Sequence, residues 1–239
     1  MNSFYQQISE AKSKEKKQIA ILIDPDKIQL DTFSKLIQKI NDSSIDYVFV
    51  GGSLLLDDCL RDIISQLKKE TNKPIIIFPG SNWHVDEQAD ALLFLSLISG
   101  RNADLLIGKH VEAAPILSRK NIEIISTGYI LIDGGKATTV SYISNTVPIP
   151  DNKPEIALAT AMAGEMIGMK CIYLDAGSGA EKPVSVETIR AVSKHCSSPI
   201  IVGGGIKTKE GIAQAHHAGA DIVVIGNHIE TNPNFLTEL

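Results

Sequence analysis

IIVGGGIKTKEGIAQAHHAGADIVVIGN, residues 200–227, is the stretch that decides the fold. Two short β-branched runs, 200–202 and 222–225, each close on glycine: Gly203, Gly204 and Gly205 after the first, Gly226 with Asn227 after the second. Between them Thr208 is placed to cap a helix, Glu210 sits in its first turn and Gly219 stops it. The unit is strand, loop, helix, strand. Glycine at the C-terminal end of a strand lets backbone N–H groups reach a ligand with no side chain between. In a (β/α)8 barrel the loops after strands seven and eight commonly hold a phosphate. Read locally, the same glycines only close tight turns; the two glycine-rich ends together favour a phosphate.

The rhythm extends upstream. A polar helix over 3–17 leads into a strand at 19–23, closed by Asp24-Pro25-Asp26-Lys27. A helix at about 30–41 feeds a strand at 47–50, closed by Gly51-Gly52-Ser53. Leu56, Leu60, Ile63, Ile64 and Leu67 form one face of the next helix. The third strand is 75–78. Only about ten residues, NWHVDEQADA, separate it from the fourth at 92–98, and parallel strands usually need a dozen or more. The crossover helix after strand three is therefore expected to be shortened or absent. A helix at 102–119 with Ile107, Val111 and Ala114 on one face precedes a fifth strand at 122–126 that extends through 129–132. A long loop, 133–153, marks a place where a site is covered or built. The helix at 154–169 is expected to bury Ile156, Ala159, Ala163 and Ile167, and strand six, 171–174, closes on Asp175-Ala176-Gly177-Ser178-Gly179. A helix at 184–196 returns to the opening stretch. Eight mostly continuous apolar runs alternating with helices predict an α/β chain, one (β/α)8 TIM-type barrel over residues 1–239.

Composition narrows the classes. A net charge of −5 with no lysine or arginine block argues against a nucleic-acid partner. Three scattered cysteines, Cys59, Cys171 and Cys196, have no metal-ligand spacing and suit a reducing compartment. With no secretion signal and no membrane-length apolar run, a cytoplasmic location is expected. Walker, zincin, nucleophile-elbow and CxxC patterns do not occur.

In a barrel, strand ends share one mouth. Here they are Asp24 and Asp26, Ser53, Ser81, Ser99, Thr127, Asp175 with Ser178, Gly204-Gly205 and Gly226-Asn227. Asp24 with Ser53 is a thin ligand set that suits Mg²⁺, which keeps waters and takes further ligands from a substrate diphosphate. Asp24 equally fits a capping aspartate. Asp26 and Lys27 read as turn and surface residues. Asp175 is placed to act as a general base toward a hydroxyl or to bind one. The backbone of Gly177, Ser178 and Gly179 can complete the cradle. His216 and His217 read as surface residues, and Trp83 and His84 as pocket or packing residues. A phosphate-binding isomerase and an FMN-binding barrel share the glycine features.

LIDPDK (22–27), GGS (51–53), ISNTVPIPDNKPEIA (143–157), YLDAGSGAEKPV (173–184), VGGGIKT (202–208) and IGN (225–227) together resemble the geranylgeranylglyceryl phosphate synthase family, in order and over most of the chain. The resemblance implies a prenyltransferase joining the 3-hydroxyl of sn-glycerol 1-phosphate to a polyprenyl diphosphate. It implies Asp24 and Ser53 as Mg²⁺ ligands, with Tyr173, Leu174, Asp175, Ala176, Gly177, Ser178, Gly179, Gly204, Gly205, Gly226 and Asn227 around the glycerol phosphate. It implies a homodimer or higher homo-oligomer, and a lipid product implies transient contact with a membrane surface. Relatives often carry glutamate at the position of Asp175, threonine at Ser53 and, in some, lysine at Leu22. Base or binder stays open for Asp175, and another cation must take the lysine's part. The prenyl tail needs an apolar groove, expected along 92–98 and the irregular segment after strand three.

Overall fold

The computed structural model describes residues 3–56 and 59–239. Helix α1 (Phe4–Ser13) precedes strand β1 (Gln18–Ile23), which runs into a 3-10 turn, Pro25–Lys27. Then come α2 (Leu30–Asp42), β2 (Tyr47–Gly51), α3 (Leu60–Glu70), β3 (Ile75–Phe78) and β4 (Ala91–Leu97). A π-helical turn, Asp104–Gly108, continues into α4 (Lys109–Leu117), followed by β5 (Glu123–Leu131), α5 (Thr139–Ile143) and α6 (Pro154–Met166). The chain finishes with β6 (Cys171–Asp175), α7 (Val186–His195), β7 (Ile200–Gly203), α8 (Lys209–Ala218), β8 (Ile222–Ile225), α9 (Asn227–Thr231) and a 3-10 segment, Pro233–Glu238. All eight strands are parallel and pair in sequence order, with β1 closing on β8 through Ala20↔Val224 and Ile21↔Ile225.

Strand composition explains the closure. All four residues of β3 are buried, as a sheet covered on both faces requires. Ile75 and Ile77 join the layer between strands and helices, whereas Ile76 and Phe78 point into the barrel. Phe49, Ile76, Leu93, Ile125, Ile201 and Ile222 fill that interior. Helix α1 plugs its N-terminal end: Phe4 packs edge-on against Tyr47 with ring centroids 4.8 Å apart, and Ile8 is fully buried. A polar seam there, Gln18 donating to Tyr47, lies opposite the mouth.

No helix connects β3 to β4. Residues 79–90 form turns, and the two strands pair only through Ile76↔Ala91 and Ile77↔Leu92. Asp90 closes the lower end by accepting from the Ile75 N–H at 2.8 Å and from Lys68 at 2.9 Å. The cap and stop signals of the opening stretch also hold: Thr208 accepts from the Gly211 N–H, and Gly219 adopts φ 116°.

Several faces differ from expectation. In α6 the buried residues are Ala157, Ala161 and Gly164, while Ile156 is 42% and Ile167 71% exposed; Ala159 and Ala163 are exposed too. A Cβ on Gly164 would lie 2.9 Å from Ile98 Cδ1, so small residues let this helix approach the sheet closely. The helix is apolar nearly all round, so periodicity could not choose its face. In the segment before α4 the π turn shifts the helical phase; Ile107 and Val111 point outward and Ala114 is exposed, with Ala113 and Leu117 buried instead. Leu56 is exposed ahead of α3, and residues 57–58 lie outside the described ones. His216 is half-buried, its Nε2 3.0 Å from the Gln18 carbonyl, and burial lowers its pKa.

Candidate active site

A cavity of about 350 Å³ opens at the C-terminal mouth. Its wall includes Asp24 and Ser53 on one side, and Ser178, Gly179, Gly204, Gly205, Gly226 and Asn227 on the other, with Tyr173 and Asp175 at its floor. Residues far apart in sequence meet here because each ends a strand or begins the loop after it. Leu174 and Ala176 do not line the cavity: both side chains are buried in the layer beneath the helices. Gly177 lies behind the wall, donating its N–H to Asp175 Oδ1 at 2.8 Å. Of the remaining strand ends, Ser81 lines neighbouring hollows, Ser99 accepts from the Leu131 N–H, and Thr127 is fully buried in mid-strand with its hydroxyl on the Ile125 carbonyl.

The glycine side is built for an anion. Gly204 and Gly205 have φ of 83° and 71°, a backbone that side-chain-bearing residues rarely adopt. A Cβ on Gly204 would sit 2.6 Å from the Gly177 nitrogen and 2.7 Å from Asp175 Oδ1. Among the described residues, the N–H groups of Gly179, Gly205 and Ile206 have no acceptor in the protein. Backbone donors without acceptors, on residues that line a cavity, are the makings of an anion cradle. Ser178 Oγ donates to Asn227 Oδ1 at 2.7 Å, tying the loop after β6 to the start of α9.

Asp175 is almost fully buried. Its Oδ2 accepts from the Tyr129 hydroxyl and its Oδ1 from Gly177. Burial pushes its pKa up, against the opposing pull of these two donors. Burial, then the adjacent Asp175 charge, holds the Tyr129 and Tyr173 hydroxyls protonated well beyond their ordinary range. Tyr173 fits because Gly203 has no side chain: a Cβ there would lie 2.5 Å from its hydroxyl. Phe78, Tyr129 and Tyr173 form an aromatic floor with centroids 5.4–6.1 Å apart.

Asp24 is both cap and wall. Oδ1 accepts from the Asp26 N–H at 3.3 Å, and Oδ2 lies 3.0 Å from Lys27 Nζ. Among the described residues no group of three His, Cys, Asp or Glu could hold a metal. One carboxylate beside one hydroxyl, open to the cradle, fits a hard cation that completes its shell with water and substrate oxygens.

Three further residues of the site escaped sequence reading. Tyr129 does not line the cavity but holds Asp175 from beneath, and it lies within a β-branched strand, where a tyrosine signals packing. Thr139 belongs to the long loop. Lys27, expected at the surface, lines the cavity and also pairs with Glu230 at 3.0 Å. Burial lowers the Lys27 pKa, but the Glu230 and Asp24 carboxylates outweigh it and raise the balance. His84 is a turn residue, its Nδ1 accepting from the Gly80 N–H.

Comparison with known proteins agrees with this geometry. The model of the PcrB family matches residues 11–238. Geranylgeranylglyceryl phosphate synthase of Spirosoma linguale is 50% identical over 94% of this chain and 90% of its own length. The enzyme of that name from Chitinophaga pinensis is 49% identical over 100% and 94%. The crystal structure of (S)-3-O-geranylgeranylglyceryl phosphate synthase from Thermoplasma acidophilum, in complex with its substrate sn-glycerol-1-phosphate, superposes with a TM-score of 0.93 at 31% identity, covering 99% of this chain and 95% of that one. Tryptophan synthase α-subunit from Pyrococcus furiosus, at 12% identity and a TM-score of 0.54, shares the fold alone. The chain belongs to the PcrB family, the family of the geranylgeranylglyceryl phosphate synthases.

Proposed function

We propose that this protein transfers a geranylgeranyl or longer polyprenyl group from its diphosphate to the 3-hydroxyl of sn-glycerol 1-phosphate, giving an ether-lipid precursor and diphosphate. The observation that carries the reading is one mouth that unites an anion cradle, a buried carboxylate and a metal-compatible aspartate. Gly179, Gly204, Gly205, Gly226 and Asn227 would hold the phosphate, and Tyr173 and Ser178 would hold the glycerol. Fixing the acceptor hydroxyl in this way supplies much of the rate through positioning. Asp175, held ready by Tyr129 and Gly177, would accept the proton as the C–O bond forms. Asp24 and Ser53 would hold Mg²⁺, which when bound offsets charge gathering on the departing diphosphate.

A tail groove follows the missing helix. Leu54 and Leu56 line both the phosphate cavity and a second hollow; Trp83 and Val85 line that hollow and a third, walled by Leu92, Phe94, Leu95 and Leu105. Apolar surface thus leads from the diphosphate end toward α4. The exposed Leu56 and Trp83 at this rim suit transient contact with a bilayer surface. The exposed faces of α4 and α6 suit a homo-oligomer. Among the described residues no helix is long and apolar enough to cross a membrane.

Continuous measurement of diphosphate release tests the reaction. Release from geranylgeranyl diphosphate should require both sn-glycerol 1-phosphate and Mg²⁺. Release at the same rate without the acceptor would mean hydrolysis, and the assignment would be wrong.

A further inference from the structure

The mouth poses an electrostatic problem. Two anionic substrates must enter a cavity whose wall, among the described residues, carries four carboxylates, Asp24, Asp26, Asp175 and Glu230, but only two lysines, Lys27 and Lys207. Two of the carboxylates are already engaged. Asp26 accepts from the Leu56 N–H at 2.6 Å and from Cys59 Sγ at 3.8 Å, and Asp175 is held by Tyr129 and Gly177. Asp24 and Glu230 remain, and Lys27 bridges them with its Nζ 3.0 Å from an oxygen of each. The lysine is the most exposed of the three, 43% against 19% and 20%, so its ammonium stands at the cavity surface. The ammonium also lies 3.3 Å from the second Glu230 oxygen, so its three N–H donors face two oxygens of Glu230 and one of Asp24, and the Asp24 contact is the one it can give up while Glu230 still holds it. Leu22, two residues before Asp24, supplies no cation; its hydrocarbon lies 3.7 Å from where a Cβ on Gly226 would be.

We infer that Lys27 is a diphosphate-binding residue that exchanges partners with the metal: it neutralises Asp24 when the metal site is empty and turns to the donor's diphosphate when that site is filled, with Glu230 as its pivot. The inference rests on the prenyltransferase reading. Its physical basis is competition, because one Asp24 oxygen is held by the ammonium and a bound cation would repel it. Glu230 lies on α9, which begins at Asn227, so the pivot keeps the lysine between the metal side and the phosphate side of the mouth.

The test is a Mn²⁺ titration followed by electron paramagnetic resonance, with and without inorganic pyrophosphate, on wild type, Lys27→Met and Lys27→Arg. Lys27→Met should bind Mn²⁺ alone about two- to fivefold more tightly, the size expected when a half-exposed ion pair is removed. Its affinity for pyrophosphate in the presence of Mn²⁺ should fall roughly tenfold or more, as when a charge-assisted hydrogen bond is lost. Lys27→Arg should restore pyrophosphate binding, and a melting temperature close to wild type should accompany both variants. If Lys27→Met leaves both affinities unchanged, lowers both together, or weakens sn-glycerol 1-phosphate in place of pyrophosphate, the exchange is refuted while donor binding by the wild type still stands. If the wild type takes up no pyrophosphate with Mn²⁺, the prenyltransferase reading falls and the inference with it.

Discussion

Tyr129→Phe isolates the proton-handling part of the site. The substitution keeps the ring, which packs 5.5 Å from Tyr173 and 6.1 Å from Phe78, and removes only the donor to Asp175 Oδ2. A hydrogen bond to a charged acceptor is worth about 1.5–3 kcal/mol. Because about 1.4 kcal/mol is a factor of ten in proton affinity, Asp175 should bind its proton roughly ten- to a hundredfold more tightly. Burial already holds this carboxyl above its ordinary range, and Tyr129 is one of the two groups that oppose it. A base must be unprotonated, so the acidic limb of kcat should move to higher pH. Stability follows the same sign. The folded protein binds this proton more tightly than the unfolded chain, so stability declines as pH climbs from the ordinary carboxylate range through the folded value, then levels off. Tyr129→Phe should widen that decline upward. Single-turnover rates between pH 5 and 9, beside thermal melts at the same values, read both effects. A melt that shifts while the acidic limb stays fixed would refute Asp175 as the base and leave Tyr129 a packing residue.

Other predictions address separate parts of the site and fold. Gly204→Ala should cost about 1–3 kcal/mol of stability at φ 83° and weaken sn-glycerol 1-phosphate at least tenfold by calorimetry, because the new methyl would collide with the Gly177 nitrogen and Asp175 Oδ1 and force apart the two loops that form the cradle. Asp175→Asn should lower kcat by roughly 10²–10⁴ while leaving acceptor binding within a few-fold, measured by steady-state kinetics and titration. Val85→Trp, which narrows two of the apolar hollows, should raise KM for long donors and leave the affinity for sn-glycerol 1-phosphate unchanged. On α6, Ala161→Leu should destabilise by about 1–3 kcal/mol, whereas Ile167→Lys should change denaturant stability by roughly 0.5 kcal/mol or less. The reverse ranking would contradict the observed helix face.

The legibility of this chain follows from where one physical signal dominates. Strands buried on both faces read as continuous apolar runs, so β3, β7 and β8 were visible, and the short gap after residue 78 revealed the missing helix. Gly204 and Gly205 were visible because only glycine is comfortable at their φ. The faces of α4 and α6 were not. In α6 apolar residues surround the helix and contact is made by alanine and glycine, whose small size is the reason for burial. A π turn altered the phase before α4. Leu174 and Ala176 fall within a stretch that was read as a unit, yet strand alternation and a backbone bond to Gly203 turn them away from the cavity, into the layer beneath the helices. Tyr129 and Lys27 carry no local signature, because their roles come from Asp175 and Glu230, distant in sequence.

The most direct measurement is an incubation of the purified protein with sn-glycerol 1-phosphate, geranylgeranyl diphosphate and Mg²⁺, followed by organic extraction and mass analysis, beside an Asp24→Ala control. The account predicts an ether of glycerol 1-phosphate and the prenyl group, formed by the wild type and lost in the control. No ether product with this or longer donors, from a protein that still binds sn-glycerol 1-phosphate, would contradict it.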